Sequence, residues 1–429
     1  MSKKKNLLIF PAGTEIAFEI HNALKFSKFV NIFGGTSADD HSEFVYERLI
    51  KGFPYIGEDN FIEYLNKVIE EYKIEYIYPA HDSACVYLSK HSKSINAVIV
   101  CSEYDTVAIC RSKSKTYSFF KGEEFIPITY KTPEQVQEFP VFVKPTVGQG
   151  AVGAEKIDNM EQLKFALEKD ESLVICEYLS GVEYSVDCFT DKNGNLRVAR
   201  LRDRERIRAG ISVRSKALDS DNKIVQIANA LNNKLKFRGA WFFQVKKNYN
   251  GEYRLMEVSP RIPGTMGLSR NLGINFPLIT LFDMWGFDVD IIDNNYDIIL
   301  DRAFYSAYKI DINYNKIYVD YDDTLVINDA VNIQLLAFIY QAYQCGKKIY
   351  ILSKHIGDIY EDMKKRCIST ELFEKIIVID EDDEKSNYIS TEDSIFIDDS
   401  YAERIKIKNQ IGIPVFDVDM VESLIDWRK

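Results

Sequence analysis

The chain has 429 residues, 46% hydrophobic and 28% charged, an ordinary globular balance with length for about two to four domains and a large buried core. Its net charge of −11 disfavours bulk binding to nucleic acid or an anionic membrane, because phosphate-rich surfaces repel an acidic protein. Seven cysteines (Cys85, Cys101, Cys110, Cys176, Cys188, Cys345 and Cys367), odd in number and without CxxC spacing, point to reduced, mostly buried thiols and a cytoplasmic location.

In chain order, "MSKKKNLLIFPAGTEIAF" carries too short an apolar stretch for a secretory signal, and no apolar run approaches the ~20 residues of a membrane helix. Three blocks of alternating apolar runs and amphipathic stretches follow. In the first, 1–110, "NLLIF" and "VNIFGG" predict strands, "GTEIAFEIHNALKF" and "NFIEYLNKVIEEYKI" helices, and "EYIYPAHD", "NAVIVCS" and "TVAICR" further strand or helix pieces. This is the pattern of a small doubly wound fold, in which ligands sit beyond the carboxyl ends of strands, where His81 and Asp82 fall.

The second block, 111–310, is richer in strands, with two evident helices in "NMEQLKFALEKD" and "DNKIVQIANALNNKLKF" and hairpin turns at "DKNGNLR" and "KNYNGEYR". "VFVKPTVGQGAVGAEKI" brings Lys144 to a strand end before a loop with Gly148, Gly150 and Gly153. Such a loop lets backbone amides approach phosphate oxygens, although alone it is better explained as a hairpin tip with a solvated lysine. "WFFQVKKNYNGEYRLMEVSPRIPG" adds Gln244 and Glu257 on paired strands among apolar neighbours, followed by Arg261. Two oxygen ligands side by side suit Mg²⁺; the plainer alternative is a cross-strand polar pair on an exposed face. In "LRVARLRDRERIRAGISVRSK" seven arginines (Arg197, Arg200, Arg202, Arg204, Arg206, Arg208 and Arg214) form either a solvated basic ribbon or, since alternate positions share a strand face, an anion-binding face, the expectation preferred here, with Arg204 and Arg208 foremost.

The order Lys113, Lys144 with its Gly-rich loop, "CEYLSGVEYSVD", Gln244 and "MEVSPR" resembles the ATP-grasp superfamily, in the branch like the carbamoyl-phosphate synthase large subunit, over about 1–300. The resemblance implies a Rossmann-like pre-ATP-grasp domain and then an ATP-grasp domain. It implies that Lys113 and Lys144 contact ATP phosphates, that Cys176, Glu177, Tyr178 and Leu179 form the adenine hinge, and that Glu183 holds the ribose. Gln244 and Glu257 would bind Mg²⁺, and Arg261 would stabilise the transferred phosphoryl group or a bound carboxylate. Ser259 stands where the family pattern has Asn and offers one oxygen to a second metal. Such enzymes activate a carboxylate as an acyl phosphate, which an amine then attacks.

The third block, 311–429, opens at the polar linker "DINYN" (311–315) and returns to strand–helix alternation. "KIYVDYDDTLV" ends an apolar strand at Asp320, with Asp322, Asp323 and Thr324 behind it. "KKIYILSKH" ends a second strand at Ser353 and "SIFIDDS" a third at Asp398 and Asp399. Acidic strand ends often cap a following helix, but this many in succession would repel one another unless a cation such as Mg²⁺ relieved them. The set resembles the haloacid dehalogenase (HAD) superfamily. That resemblance implies a doubly wound parallel sheet without a large cap, Asp320 as nucleophile and metal ligand, and Asp322 as general acid–base and further ligand. Ser353 would hold a phosphoryl oxygen, Asp398 and Asp399 would bind Mg²⁺, and Lys385 would neutralise the nucleophile, with Lys354, Lys364 and Lys365 as competitors.

The fold expected is therefore a multidomain α/β and α+β chain, and the function a bifunctional carboxylate–amine ligase and phosphomonoesterase. ATP is expected, with Mg²⁺ (Mn²⁺ as a substitute) at both sites. The expected partners are a small carboxylate and an amine, one of them phosphorylated, with homo-oligomers left open and neither nucleic acid nor membrane. Two alternatives stand beside it: an ATP-dependent kinase or nucleotide- or metabolite-degrading protein, and a non-catalytic ATP sensor with one degenerate module.

Overall fold

The computed structural model describes residues 4–148, 150–294 and 296–428. The chain divides into two compact units, Met1–Phe304 and Tyr305–Lys429. Among the described residues no helix is long and apolar enough to cross a membrane.

The first unit begins with β1 (Lys5–Phe10), α1 (Glu15–Leu24), β2 (Val30–Gly35), β3 (Leu49–Ile50), α2 (Phe61–Tyr72), β4 (Tyr76–Pro79), α3 (Asp82–Lys90) and β5 (Val98–Ile99). These strands make a parallel sheet in the order β3-β2-β1-β4-β5, so the strand order reverses beside β1 and opens a crevice between the carboxyl ends of β1 and β4. Thr14 sets the start of α1 by accepting from Ala17 N at 3.0 Å. Then follow α4 (Tyr104–Arg111), α5 (Lys113–Phe119), β6 (Thr129–Tyr130), β7 (Val141–Pro145), β8 (Glu155–Ile157), α6 (Met160–Lys169) and β9 (Leu173–Glu177), whose strands pair antiparallel as β6-β9-β7-β8. "TVAICR" thus lies in a helix. A short apolar run does not distinguish strand from helix, and Val107 and Cys110, three apart, face inward together.

The unit is completed by β10 (Glu183–Thr190), β11 (Leu196–Asp203), β12 (Arg206–Arg208), β13 (Ile211–Leu218), α7 (Asn222–Lys234), β14 (Gly239–Lys247), β15 (Tyr253–Ser259), α8 (Gly267–Asn271), α9 (Phe276–Met284) and β16 (Ile299–Asp301). Their sheet runs β12-β13-β11-β10-β14-β15, with β16 on β13. Its two faces separate by the two-residue period of a strand. Val186, Leu201, Trp241, Phe243 and Val245 point to one side, where α7 covers them with Ile224, Ile227, Ala228 and Leu231. Ser185, Arg202 and Gln244 occupy the other side, directly across from one another. A second core, containing Leu7, Ile9, Ile20, Tyr78, Ala240, Ile262, Phe276 and Leu281, joins this sheet to the first one.

The second unit holds β17 (Lys316–Val319), β18 (Val326–Ile327), β19 (Ala330–Val331), α10 (Ile333–Gln344), β20 (Lys348–Ser353), α11 (Ile359–Lys365), β21 (Lys375–Val378), β22 (Ser394–Ile397), α12 (Tyr401–Gln410) and β23 (Val415–Phe416). Five strands form a parallel sheet, β21-β20-β17-β22-β23, centred on β17. Between Asp320 and Ser353 the chain makes the small β18–β19 hairpin and α10.

Trp241 anchors the first unit's large sheet. It is fully buried, stacks on Phe237 at 4.0 Å between ring centroids, and donates from Nε1 to Thr190 Oγ1 at 2.8 Å. Trp241→Ala is expected to lower the unfolding free energy of this unit by about 3–5 kcal/mol, measured by urea titration followed by circular dichroism.

Candidate active sites

In the first unit the polar face of the large sheet lines a cavity of about 510 Å³. A β-bulge aims its central carboxylate. Gln244 lies opposite Glu257, whereas Val245 already lies opposite Leu255, so Met256 is the extra residue of β15. Leu255 and Val258 therefore both reach the core while Glu257 and Ser259 face the cavity. With the Gln244 amide oriented to suit its neighbours, its nitrogen donates to Glu257 Oε1 at 3.3 Å and its oxygen accepts from Arg204 Nη1 at 2.6 Å. In this orientation the Glu257 carboxylate is the oxygen ligand offered to a hard divalent cation, and the Gln244 amide would have to turn from Arg204 to add its own oxygen.

Lys113, Gly148 and Gly150 line the same cavity. Burial pushes the Lys113 ammonium down, although the Glu257 carboxylate opposes it. The glycine loop is closed by a backbone contact that the sequence does not signal. A Cβ on Gly210, whose φ is +75°, would lie 2.3 Å from the carbonyl carbon of Gly150. Gly153 instead packs on the Pro145 ring, 3.0 Å from where its Cβ would be.

Lys144 is buried elsewhere, beside a small cavity that it shares with Cys176, Glu177, Tyr178 and Leu179. Its Nζ donates to Tyr117 Oη at 2.6 Å. Burial alone would push this ammonium down, but the neighbouring Tyr117 and Cys176 outweigh it and the net shift is upward. Glu177 accepts from Ile128 N at 2.8 Å, and Glu183 pairs with Arg204 Nε at 2.8 Å.

The expected arginine face is largely paired within the protein. Arg197, Arg200, Arg202, Arg204, Arg206 and Arg214 meet Asp191, Asp293, Asp187, Glu183, Asp301 and Glu205, respectively. The alternation also breaks, because β11 ends at Asp203 and the chain turns into β12. Arg208 is exposed, stacks over the Phe304 ring at 4.9 Å and does not line the cavity. Arg202 and Arg204 do line it, as do Arg111 and Arg302, which no motif singles out.

Arg261 sits at the cavity edge in a bidentate pair with Asp82, Nε to Oδ1 at 2.8 Å and Nη2 to Oδ2 at 2.6 Å. Ser259 Oγ donates to the same Asp82 Oδ1 at 2.9 Å, so the hydroxyl expected at a metal is turned to a carboxylate instead. Asp82 opens α3, and His81 caps that helix by accepting from Ser83 N at 3.2 Å. Burial pushes the Asp82 carboxyl up, but the Arg261 charge and hydrogen bonds overcome it and hold the group well below the usual carboxylate range.

In the second unit the carboxyl ends of β20, β17 and β22 bring Ser353, Asp320 and Asp398 to one edge of the sheet. Of the four candidate lysines, Lys385 is the one that reaches them. Its buried Nζ lies 2.8 Å from Asp320 Oδ1 and 2.6 Å from Asp398 Oδ2. Lys354 points away, to the Glu381 carbonyl at 2.9 Å, while Lys364 and Lys365 line a separate open groove. Thr324 Oγ1 donates to Asp399 Oδ1 at 3.1 Å and accepts from Asp399 N at 3.0 Å. Asp320, Asp398 and Asp399 each offer an oxygen within 4.8 Å of the others, a donor set that fits Mg²⁺. Burial pushes Asp320 up despite Lys385, and burial lifts Asp398 to about 6. Asp322 stands apart from this cluster. It accepts from Ser353 Oγ at 3.4 Å, and both its oxygens lie 3.0 Å from His355 Nδ1. His355 had no assigned role in the sequence, although it follows Ser353 by two residues within the same quoted stretch.

A family model described as ATP-grasp in the biosynthetic pathway with Ter operon matches residues 169–298. No curated protein sequence matches the chain. Among solved structures, a biotin carboxylase complex with β,γ-ATP from Campylobacter jejuni is similar, with 16% identity, a TM-score of 0.58, and coverage of 69% of this chain and 75% of that one. An L-amino acid ligase from Bacillus licheniformis is 18% identical with a TM-score of 0.54, covering 66% and 74%. N5-carboxyaminoimidazole synthetase from Staphylococcus aureus complexed with ADP is 14% identical with a TM-score of 0.55, covering 67% and 79%. These likenesses show an ATP-grasp fold in this chain.

Two measurements follow from the charges. Because Asp82 is depressed in the fold, its stabilisation is fully present above about pH 4 and is lost as the pH falls toward its folded value. Asp82→Asn is expected to cost about 3–5 kcal/mol at pH 7 and to flatten the acid limb of the stability curve, read by urea titration at a series of pH values. At the second site a proton competes with a cation for Asp398. Mg²⁺ affinity by calorimetry is expected to rise with pH up to about 6 and then level off, and Asp398→Asn is expected to remove that dependence.

Proposed function

We propose that the first unit is an ATP- and Mg²⁺-dependent ligase that joins a small carboxylate to an amine through an acyl phosphate. The observation that carries the proposal is the convergence of Lys113, Gly148, Gly150 and the bulge-directed Glu257 on one cavity of an ATP-grasp fold. Lys113 places positive charge beside phosphate oxygens, and the Lys144 ammonium, kept charged by its neighbours, does the same from the smaller cavity. Cys176, Glu177, Tyr178 and Leu179 surround that cavity, whose apolar walls suit a nucleobase. Mg²⁺ held by Gln244 and Glu257 would neutralise charge between the terminal phosphates. Arg261, oriented by Asp82, presents a fixed guanidinium at the cavity edge where charge accumulates during phosphoryl transfer. Protein nucleophiles have no part in such a reaction. The named relatives support a ligase reading, as one is an L-amino acid ligase and another a synthetase bound to ADP.

For the second unit we propose a HAD-type phosphomonoesterase. Asp320 would attack the phosphorus atom, displacing the alkoxide and forming an aspartyl phosphate, and water would then release inorganic phosphate. Asp322, outside the metal cluster and beside His355, is placed to protonate the leaving oxygen and then to take a proton from water. Lys385 offsets the charge of Asp320 and Asp398, and Mg²⁺ at the aspartate cluster would polarise the phosphoryl group. The absence of a large insertion between Asp320 and Ser353 suits an open site and a bulky substrate. Covalent linkage of the two activities would raise the local concentration of any compound they share.

The test is a product screen by mass spectrometry with ATP, Mg²⁺ and pooled carboxylates and amines. Lys144→Ala is expected to lower ADP and amide formation by about 10²-fold or more. Asp320→Asn is expected to abolish phosphate release from organic phosphomonoesters and leave amide formation intact. Amide formation lost in a folded Asp320→Asn protein would refute the independence of the two activities. ATP hydrolysis without any added carboxylate, at a rate equal to that with it, would refute the ligase.

A further inference from the structure

Arg202 in β11 and Arg204 just beyond its end both line the first unit's cavity, and they differ in how their terminal nitrogens are used. Arg204 lies with Nε 2.8 Å from the Glu183 carboxylate as an ion pair, and both of its terminal nitrogens are used, Nη1 on Gln244 and Nη2 on the Gly210 carbonyl at 2.9 Å. Arg202 is 1% exposed and spends only Nε on its partner, Asp187, at 3.1 Å to each carboxylate oxygen. Asp187 Oδ2 also accepts from Ser269 Oγ at 3.1 Å, which fixes the carboxylate and so the guanidinium. Arg202 Nη1 is buried and has no hydrogen-bond partner among the described residues. Directly across the strand, Ser185 Oγ is likewise buried without a partner. Leaving donors unpaired in a protein interior is costly, and a guanidinium held by one edge presents the other in a fixed direction.

The position of this pair defines what it can hold. Glu257, Gln244, Ser185 and Arg202 form one cross-strand row over β15, β14, β10 and β11. Three strand spacings separate its ends, roughly 14 Å between backbones. The cation and terminal phosphate of the proposed reaction belong at the Glu257 end. We propose that Arg202 Nη1, with Ser185 Oγ beside it, is an oxyanion subsite for the carboxylate substrate: the substrate carries a second oxyanion, a few bonds from the carboxylate that is activated, and this second group docks on Arg202. The inference rests on the ligase reading of this cavity and adds the class of acid it takes.

The test uses the full chain with saturating Mg²⁺ and ADP, and titrates malonate, succinate and glutarate by calorimetry against the monoacids acetate, propionate and butyrate. A parallel arm with 3-phosphonopropionate shows whether a carboxylate or a phosphonate fits the subsite better. At least one dianion is expected to bind about tenfold tighter than its monoacid. Arg202→Gln combined with Asp187→Asn removes both buried charges together, and is expected to erase the preference while changing the ADP affinity by less than about twofold. Ser185→Ala, which takes away only an unpaired hydroxyl, keeps the inference testable if the double variant does not fold. It is expected to reduce the preference about threefold. Equal binding of dianions and monoacids by the wild type, or a preference that survives in the folded variants, overturns the inference while leaving the ligase intact. Failure of ADP itself to bind overturns the ligase reading and the inference with it.

Discussion

The pairing of Asp82 with Arg261 holds the first unit's chemistry in place. Asp82 begins the helix that follows β4, at the mouth of the crevice in the parallel sheet, and Arg261 follows β15 of the antiparallel sheet. The bidentate geometry fixes the distance and the angle between two elements formed 179 residues apart in sequence. Ser259 adds a third bond to the same carboxylate, so the exit of β15 is clamped just beyond Glu257. Burial would raise the carboxyl, and the Arg261 guanidinium, helped by the Arg111 charge and the Ser259 hydroxyl, keeps it ionised. Removing either charge would leave the other stranded, which makes the pair an obligate unit rather than an added increment of stability.

The two sites manage charge in opposite ways. The first collects Arg111, Lys113, Arg202, Arg204, Arg261 and Arg302 at one cavity and satisfies several of them from behind with acids of neighbouring strands. Such a surface is stable empty and still presents donors to an anion. The second site sets one lysine between Asp320 and Asp398 with Asp399 close by; burial raises Asp320, and burial together with repulsion from Asp320 raises Asp398. It is a site that a cation would relax.

What was legible in the sequence depended on how far apart the cooperating residues lie. Asp320, Ser353 and Asp398 each end an apolar strand, so a parallel sheet alone brings them together, and the sequence shows all three strands. Gln244 and Glu257 were visible as hairpin partners, yet their shared face depends on the extra residue Met256, and the spacing of Leu255 and Glu257 would otherwise put both on one side. The partner of Arg261 could not be found, because Asp82, visible only as a residue beyond a strand end, opens a helix beside the other sheet and nothing local links it to Arg261. The arginine ribbon misled for a related reason. Its charges are explicit in the sequence, whereas the acids that occupy them, such as Asp187, Asp293 and Asp301, come from distant strands and loops. His355 was hidden differently: it sits on the loop after β20, where side-chain direction is set by Tyr321 and Asp322 rather than by any periodicity.

The contact of Gly210 with Gly150 sets a limit of a different kind. Two backbones meet there without any side chain between them, so the fit is a matter of thickness rather than affinity. A single methyl group at position 210 would act as a wedge, holding the two loops apart whatever ligand lay beneath. The spacing of the two loops at the cavity is thus set by the bare thickness of their backbones, and one substitution at position 210 would change it.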